Sequence, residues 1–191
     1  EFNSRLIGGL VKEWGGEPVF WDIVPDEPGA LTEAVRKASL LADVILVNAG
    51  SSAGSEDYTA DIVKSVGELF VHGVAIKPGK PTILGIVEGK PFLGVPGYPV
   101  SAALSCELFL LPLLAKMLGQ TVKERETVGA VSARRIVSVP GMDEFVRVKV
   151  GKVNSRYVAS PLARGAGAIM SLVKADGYIE IPGSSQGILE S

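Results

Sequence analysis

Residues 43–59 read DVILVNAGSSAGSEDYT, an apolar run that passes directly into a loop of glycine and serine. Uninterrupted apolar runs of this length are typical of strands that lie inside a parallel sheet and are covered on both faces. The loop offers backbone N–H groups and hydroxyls ahead of a predicted helix, an arrangement that can bind an anion. Taken alone, the loop favours a plain connecting turn, because Gly-Ser loops after strands are common. The stretch therefore predicts an α/β sheet with a candidate ligand loop at the end of a strand.

Helical and strand-like patterns alternate around this stretch, from residue 4 to about residue 118. Apolar spacing, prolines at helix starts and glycines at helix ends separate the segments. In order, we predict a helix over 4–15, a strand over 17–24, a helix over 26–42, the buried strand over 43–48, a helix over 55–68, a strand over 69–76, a hairpin over 81–97 that turns at Glu88–Lys90, and a helix over 99–119. This order predicts an α/β fold with a mostly parallel sheet and helices on both faces.

The pattern changes near residue 120, after which short β-rich runs are separated by glycine, proline and asparagine. No strongly amphipathic helix follows. A chain of 191 residues also exceeds the usual domain size of about 100 to 150 residues. We therefore predict an α/β domain over 1–119 and a small all-β, barrel-like domain over 120–191.

Composition limits the partners that this chain can bind. The net charge of −2 gives no general attraction to nucleic acid or membranes, so anion binding requires a local cluster of cations. The single cysteine, Cys106, excludes an internal disulfide and a cysteine-rich metal site. The most apolar helix contains Glu107 and Lys116, and we expect it to be buried in a soluble, cytoplasmic protein. The chain begins without methionine inside an apparent helix, and we expect it to be a fragment.

Two further loops carry candidate ligand residues. In IKPGKP, residues 76–81, the prolines restrict the backbone beside Lys77 and Lys80, which predicts either an anion site or a rigid turn with two solvated charges. Pro96 and Gly97 end a strand, and Ser101 follows in the first turn of a helix, where it contacts an anion or simply caps the helix. The convergence of these loops with the Gly-Ser loop on one scaffold favours an anion site.

Three stretches, in this order and at these separations, resemble a known family. They are NAGSSAGSEDYT (48–59), HGVAIKPGKPTILG (72–85) and GVPGYPVSAALSCELFLLPLL (94–114). They are similar to the molybdopterin molybdenumtransferases, which insert molybdenum into molybdopterin and whose eukaryotic relative is the C-terminal part of gephyrin. The resemblance covers nearly the whole chain, with 1–119 similar to the molybdopterin-binding domain, its first strand missing, and 120–191 similar to the C-terminal β-barrel domain.

The resemblance implies roles for individual residues. Lys77 and Lys80 would neutralise the oxyanions of molybdate and of the pyrophosphate in adenylylated molybdopterin, and Asp57 would hold Mg²⁺. Residues expected to line the dithiolene and phosphate positions are Gly50, Ser51, Ser52, Gly54, Pro96, Gly97 and Ser101. Two positions depart from the family pattern: Ala49 stands where glycine is usual, and Tyr98 stands where asparagine is common.

The second domain contributes two more candidates. DEFVRVKV, residues 143–150, is similar to the family stretch whose arginine reaches the molybdate site, which nominates Arg147, although a solvated charge on a strand face is the alternative. GAIMSLVKADGYI, residues 167–179, is similar to a serine-containing family segment, which nominates Ser171, and Asp176 stands where asparagine is usual. His72 is predicted to be a packed or hydrogen-bonded residue rather than a catalytic base, and Cys106 is predicted to pack in the core.

The resemblance implies an enzyme that inserts molybdenum and releases AMP, with Mg²⁺ as cofactor. It also implies a homodimer and a molybdopterin adenylyltransferase as partner. A non-catalytic molybdopterin-binding or scaffold module of the same fold is the alternative, as is an adenylyltransferase. The barrel-like domain and the KPGKP loop favour the insertion enzyme, because stand-alone adenylyltransferases lack that domain.

Overall fold

The computed structural model describes residues 2–49, 58–165 and 168–189. The chain divides into two compact units, one formed by Glu1–Val74 and Gly79–Val122 and the other by Ala75–Pro78 and Lys123–Ser191. The four residues Ala75–Pro78 thus belong to the second unit although they lie within the sequence of the first. Local sequence patterns did not predict that these four residues join the second unit, because their place depends on a strand pairing between distant segments.

The described residues form six α-helices, one π-helical turn and eleven strands, most of them short. The helices are α1 (Asn3–Glu13), α2 (Pro28–Ser39), α3 (Tyr58–Val66), α4 (Pro99–Ser105), α5 (Leu111–Met117) and α6 (Met170–Lys174), with a π-helical turn at Cys106–Leu110. The strands are β1 (Ile45–Ala49), β2 (Gly67–His72), β3 (Ile76–Lys77), β4 (Ile83–Val87), β5 (Lys90–Pro96), β6 (Ala130–Ser132), β7 (Ile136–Val137), β8 (Asp143–Val153), β9 (Arg156–Pro161), β10 (Gly177–Ile181) and β11 (Gly187–Ile188).

The first unit contains a four-stranded sheet in the order β1-β5-β4-β2. The predicted α/β class is confirmed, but the prediction of a mostly parallel sheet is wrong for the described strands. Only β1 and β5 run parallel, whereas β4 pairs antiparallel with both β5 and β2. The reason is the predicted hairpin turn, where Glu88 and Gly89 take φ values of 49° and 76°. Two consecutive left-handed residues join adjacent antiparallel strands.

The strand predicted over 17–24 is absent from the described structure, where these residues lie outside any strand or helix. Val19, Phe20, Trp21 and Ile23 are exposed. Strand-forming composition alone does not make a strand, because the backbone also needs a neighbouring edge with which to pair.

Helices pack on both faces of the first sheet, as predicted. On β5, Phe92 packs with residues of α2 and α3, whereas Leu93 and Val95 pack with α1 and the 99–117 helix. Alternate residues of a strand point to opposite faces, which explains this division. The 99–117 helix is long and apolar enough to cross a membrane by length and composition. Its buried Cys106 and Leu110 instead pack in the core beside β5, as a core helix does.

The second unit contains a sheet in the order β10-β8-β9-β6, to which β3 adds by pairing parallel with β8, and a separate pair, β11 and β7. A β-rich second domain is therefore confirmed. The strand pairs among the described residues do not close into a ring, so a closed barrel is not found there. The prediction of an all-β domain is also wrong in one detail, because Met170–Lys174 form the short helix α6.

Candidate oxyanion-binding site

The backbone around Lys80 is held in a tight turn. Thr82 N donates a hydrogen bond to Gly79 O at 3.1 Å, and Val74 N donates to Lys80 O at 2.9 Å. Gly79 has a φ of 119°, a conformation that side chains disfavour. The side chain of Lys80 is exposed and has no ion pair within the described residues. The turn therefore presents a positive charge from a well-fixed backbone.

The buried hydroxyl groups of Thr82 and Ser105 stabilise this turn through hydrogen bonds. Thr82 Oγ1 donates to Gly79 O at 2.7 Å and lies 2.7 Å from Ser105 Oγ. The single proton of Thr82 is used by the Gly79 carbonyl, which can only accept, so Ser105 must be the donor to Thr82. Both side chains are fully buried. The turn that carries Lys80 is thus tied to the last residue of α4.

Lys77 lies at the end of β3 and belongs to the second unit, unlike Lys80. Its Nζ lies 3.4 Å from Oε1 of Glu144, while about half of its side chain stays exposed. The peptide bond between Lys77 and Pro78 is cis. Lys77, one of the two cations of the IKPGKP loop, therefore has a carboxylate partner within its own unit.

Arg147 and Ser171 were nominated from separate stretches, and the structure brings them into contact. Arg147 Nε donates to Ser171 Oγ at 2.8 Å, and Ser171 Oγ donates its own proton to Ala168 O at 2.5 Å. Ser171 is buried, and Arg147 is half-buried. Burial lowers the pKa of Arg147 below its ordinary value, because desolvation disfavours the charged form. Among the described residues, no carboxylate forms an ion pair with this guanidinium.

The turn from β5 into α4 is fixed by a side chain that sequence reasoning missed. Asn3, at the start of α1 and almost fully buried, donates through Nδ2 to Gly97 O and to Asn48 Oδ1, both at 2.9 Å. These contacts join the carboxyl ends of β1 and β5. Ser101 is buried in the first turn of α4, and Pro96 is buried at the end of β5. Pro96, Gly97 and Ser101 thus lie together where β5 ends and α4 begins.

Five of the predicted residues lie outside the described residues. They are Gly50, Ser51, Ser52, Gly54 and Asp57. The expectation that Asp57 shares one cleft with Lys77, Lys80 and Ser101 therefore stays a prediction.

The remaining candidates fit structural roles. Cys106 is fully buried, and this burial raises the pKa of its thiol to about 12, so it behaves as a core residue, as predicted. Asp176 accepts hydrogen bonds from Lys149 Nζ at 2.6 Å and from Val150 N at 2.7 Å. These two donors lower the pKa of Asp176, the lysine having the larger effect. His72 is exposed at the end of β2 and takes part in an interaction there.

Sequence reasoning also missed Glu144, the partner of Lys77. One signal was present, because alternate residues share one face of a strand, and Glu144 alternates with the apolar Val146 and Val148. Asn3 gave no comparable signal, since a polar residue at a helix start is ordinary. In both cases the partner lies far away in sequence.

Comparison with known proteins defines the class. The chain matches the family described as "Probable molybdopterin binding domain" over residues 1–116 and the "MoeA C-terminal region (domain IV)" over residues 129–190. The first match covers more than half of the chain, so the chain belongs to the molybdopterin-binding-domain family. The resemblance inferred from the three sequence stretches is confirmed.

Individual relatives agree with this assignment. A molybdopterin biosynthesis protein of Methanocaldococcus jannaschii is 37% identical over 186 residues, which cover 97% of this chain and 44% of that protein. A molybdopterin molybdenumtransferase of Nostoc is 34% identical over 121 residues, which cover 61% of this chain and 28% of the enzyme. The crystal structure of a molybdopterin biosynthesis MoeA protein from Pyrococcus horikoshii matches with a TM-score of 0.81 and 36% identity, covering 98% of this chain and 45% of that one. The chain thus spans less than half the length of these relatives.

Proposed function

We propose that the protein containing this chain inserts molybdenum from molybdate into adenylylated molybdopterin and releases AMP. The observation that carries the proposal is the contact between Arg147 and Ser171. A half-buried guanidinium without a carboxylate partner in the described residues is suited to receive an oxyanion. The name of the Nostoc relative, a molybdopterin molybdenumtransferase, supports the same reaction.

The chemistry of the cations fits the substrates. Arg147 uses Nε to hold Ser171, which leaves its terminal N–H groups for the oxygens of molybdate. Lys80 is an exposed point charge on a fixed turn, and Lys77 is a second, half-exposed one. Cations held in place before the reaction stabilise the negative charge that develops when the phosphoanhydride is cleaved, at little cost in reorganisation. We assign Lys77, Lys80, Arg147 and Ser171 to oxyanion binding and to this stabilisation.

The glycine- and serine-rich loops are assigned to the pterin and its phosphates. Within the described residues these are Pro96, Gly97 and Ser101, and the proposal extends to Gly50, Ser51, Ser52 and Gly54. Backbone N–H groups and hydroxyls suit phosphate oxygens, as at other strand-to-helix turns.

Magnesium is proposed only through Asp57, whose carboxylate is the kind of ligand that Mg²⁺ prefers. Among the residues that the structure describes, no group of three or more His, Cys, Asp and Glu side chains could hold a metal ion.

We further propose that the full-length protein works in the cytoplasm as a homodimer and receives adenylylated molybdopterin from a molybdopterin adenylyltransferase. This part rests on the family resemblance. Light scattering on the full-length protein tests the dimer, and a monomer across the micromolar range contradicts it.

The test of the function uses variants of the full-length protein, with AMP release and molybdenum incorporation measured from adenylylated molybdopterin and molybdate. We expect Arg147→Met to lower the insertion rate by about 10²-fold or more, because a preorganised donor at developing charge has an effect of this order. Lys80→Ala should also lower the rate, with little change in the melting temperature, since an exposed lysine contributes little to folding. Arg156→Met, which changes an exposed arginine on β9, is the matched control.

Insertion at the wild-type rate in both Arg147→Met and Lys80→Ala would reject the enzyme assignment of these residues. Tight molybdopterin binding by the wild-type protein with no AMP release would instead favour the non-catalytic binding module.

A further inference from the structure

Glu144 is the one ionisable side chain of β8 that is almost fully buried in the described structure, with 3% of its surface exposed. Its Oε2 accepts a hydrogen bond from Ser138 Oγ at 2.8 Å. Its Oε1 lies 3.4 Å from Lys77 Nζ and 3.4 Å from Arg164 Nη1. One carboxylate therefore contacts two cations and one hydroxyl.

The main chain fixes each of these partners. Lys77 and Glu144 are directly opposed in the parallel pair of β3 and β8, and Asp143 N donates to Ala75 O at 2.8 Å beside them. Arg164 Nη1 also donates to Val137 O at 2.7 Å. The carboxylate of Glu144 is thus held by Ser138 at one oxygen, and by Lys77 of β3 and Arg164 at the other.

The burial of Glu144 and the exposure of Lys77 are complementary. A carboxylate removed from water requires positive partners, and Lys77 and Arg164 supply them. The side chain of Lys77 nevertheless stays 49% exposed, and its ammonium, which has three donors, meets the carboxylate in a single ion-pair contact. Lys77 can therefore be held by Glu144 and still contact a second anion from solvent.

We propose that Glu144 is a positioning residue that orders the ammonium of Lys77 for oxyanion binding. A lysine side chain has four rotatable bonds, and the fixed carboxylate restricts them before the substrate arrives. Glu144 also offsets the repulsion between Lys77 and Arg164, which contact the same oxygen atom. This inference rests on the proposed function, since it assumes that Lys77 contacts the oxyanion substrate.

The central variant is Glu144→Gln in the full-length protein, because glutamine keeps an oxygen that can accept from Ser138 but removes the charge. We expect KM for molybdate to rise about tenfold, with a smaller change in kcat. Asp143→Asn is the matched control, since Asp143 is the neighbouring carboxylate, accepts from Gly183 N at 2.7 Å, and has no contact with Lys77 in the described structure. Ser138→Ala leaves the charge but loosens the carboxylate, and we expect a smaller rise in KM. It serves as the second variant if Glu144→Gln does not fold.

A double-mutant comparison separates positioning from general stabilisation. If Glu144 acts through Lys77, then Glu144→Gln changes KM little once Lys77→Met is present, so the two effects are strongly non-additive. Additive effects on KM, or an equal rise in Asp143→Asn, would overturn the proposal and assign Glu144 to folding. Ser138→Ala should likewise change KM little once Lys77→Met is present, and additive effects of these two substitutions would also overturn the proposal.

The outcomes also separate this proposal from the function on which it rests. A loss of activity in Lys77→Met together with a wild-type KM in Glu144→Gln rejects only the role of Glu144. Wild-type activity in Lys77→Met, with a loss in Arg147→Met, likewise rejects it while the proposed function stands. Wild-type activity in both Lys77→Met and Arg147→Met rejects the proposed function itself.

Discussion

The buried hydroxyl pair beneath the Lys80 turn allows a stability prediction with a defined size. Thr82→Val keeps the shape of the side chain and removes the hydroxyl, which donates to Gly79 O and accepts from Ser105 Oγ. Gly79 O keeps the bond from Thr82 N at 3.1 Å, but the Ser105 donor loses its partner in a fully buried position. The substitution should therefore destabilise the first unit, with the loss arising mainly from one unpaired hydroxyl.

The magnitude follows from the cost of a buried unpaired group. A lost hydrogen bond costs about 1 kcal/mol net, and a buried donor left unsatisfied costs about 1–3 kcal/mol. We expect Thr82→Val to lower the free energy of unfolding by about 2–3 kcal/mol. Ser105→Ala should cost only about 1 kcal/mol, because Thr82 keeps its bond to Gly79 and merely loses a donor. In the double variant no donor is stranded, so its loss should be smaller than the sum of the two single losses.

Urea unfolding followed by tryptophan fluorescence measures these values. Both tryptophans of the chain, Trp14 and Trp21, lie in the first unit, and Trp14 packs in the same core as Cys106, so the signal reports on the unit that contains Thr82. An unchanged slope with a lower midpoint identifies a change in stability alone.

Two results would refute the reasoning. A loss below about 0.5 kcal/mol for Thr82→Val would show that the hydroxyl pair contributes nothing beyond an ordinary surface contact. Strict additivity of the two single substitutions would show that the hydroxyls are not coupled.

Three further predictions concern single residues. Asn3→Ala should destabilise the first unit by about 1–3 kcal/mol in urea unfolding, because Gly97 O and Asn48 Oδ1 lose their buried donor, and an effect within error of wild type would contradict the assigned network. Cys106 should resist alkylation by iodoacetamide at pH 8 in the folded protein and react after denaturation, since burial raises the pKa of its thiol to about 12. Mass spectrometry measures the alkylation, and rapid labelling of the folded protein would disprove the core position of Cys106. The carboxylate of Asp176 should titrate below its ordinary pKa in an NMR experiment, because Lys149 and Val150 N donate to it. The folded-state pKa lies below the unfolded one, so this stabilisation is present above the unfolded pKa and disappears as the pH falls through the folded one. Asp176→Asn should therefore be less thermally stable than wild type at neutral pH, and the two should converge in acid. A difference in stability that does not change with pH would contradict the ionic contribution.

Much of the candidate site could be predicted from the sequence, because its parts are short and local. Apart from residues 17–24, the order of helices and strands in the first unit follows from spacing and composition within a few residues, as do the hairpin turn at Glu88 and Gly89 and the buried position of Cys106. The resemblance nominated Arg147 and Ser171 from separate stretches, and the structure shows that they are in contact.

The rest depended on contacts between segments far apart in the chain. The sequence contained strand-forming residues over 17–24, yet they form no strand in the described structure, because pairing requires a neighbouring edge. The antiparallel pairing of β4 with β5 follows from the hairpin turn that the sequence predicted, whereas the pairing of β2 with β4 was missed because local composition does not encode which strands become neighbours. The sequence by itself determined the class of fold, the family and the presence of fixed cations. Only the tertiary structure decided that the Lys80 turn rests on Ser105 and that Lys77 is held by Glu144, since a side chain acquires its partners when folding brings distant residues together and removes them from water.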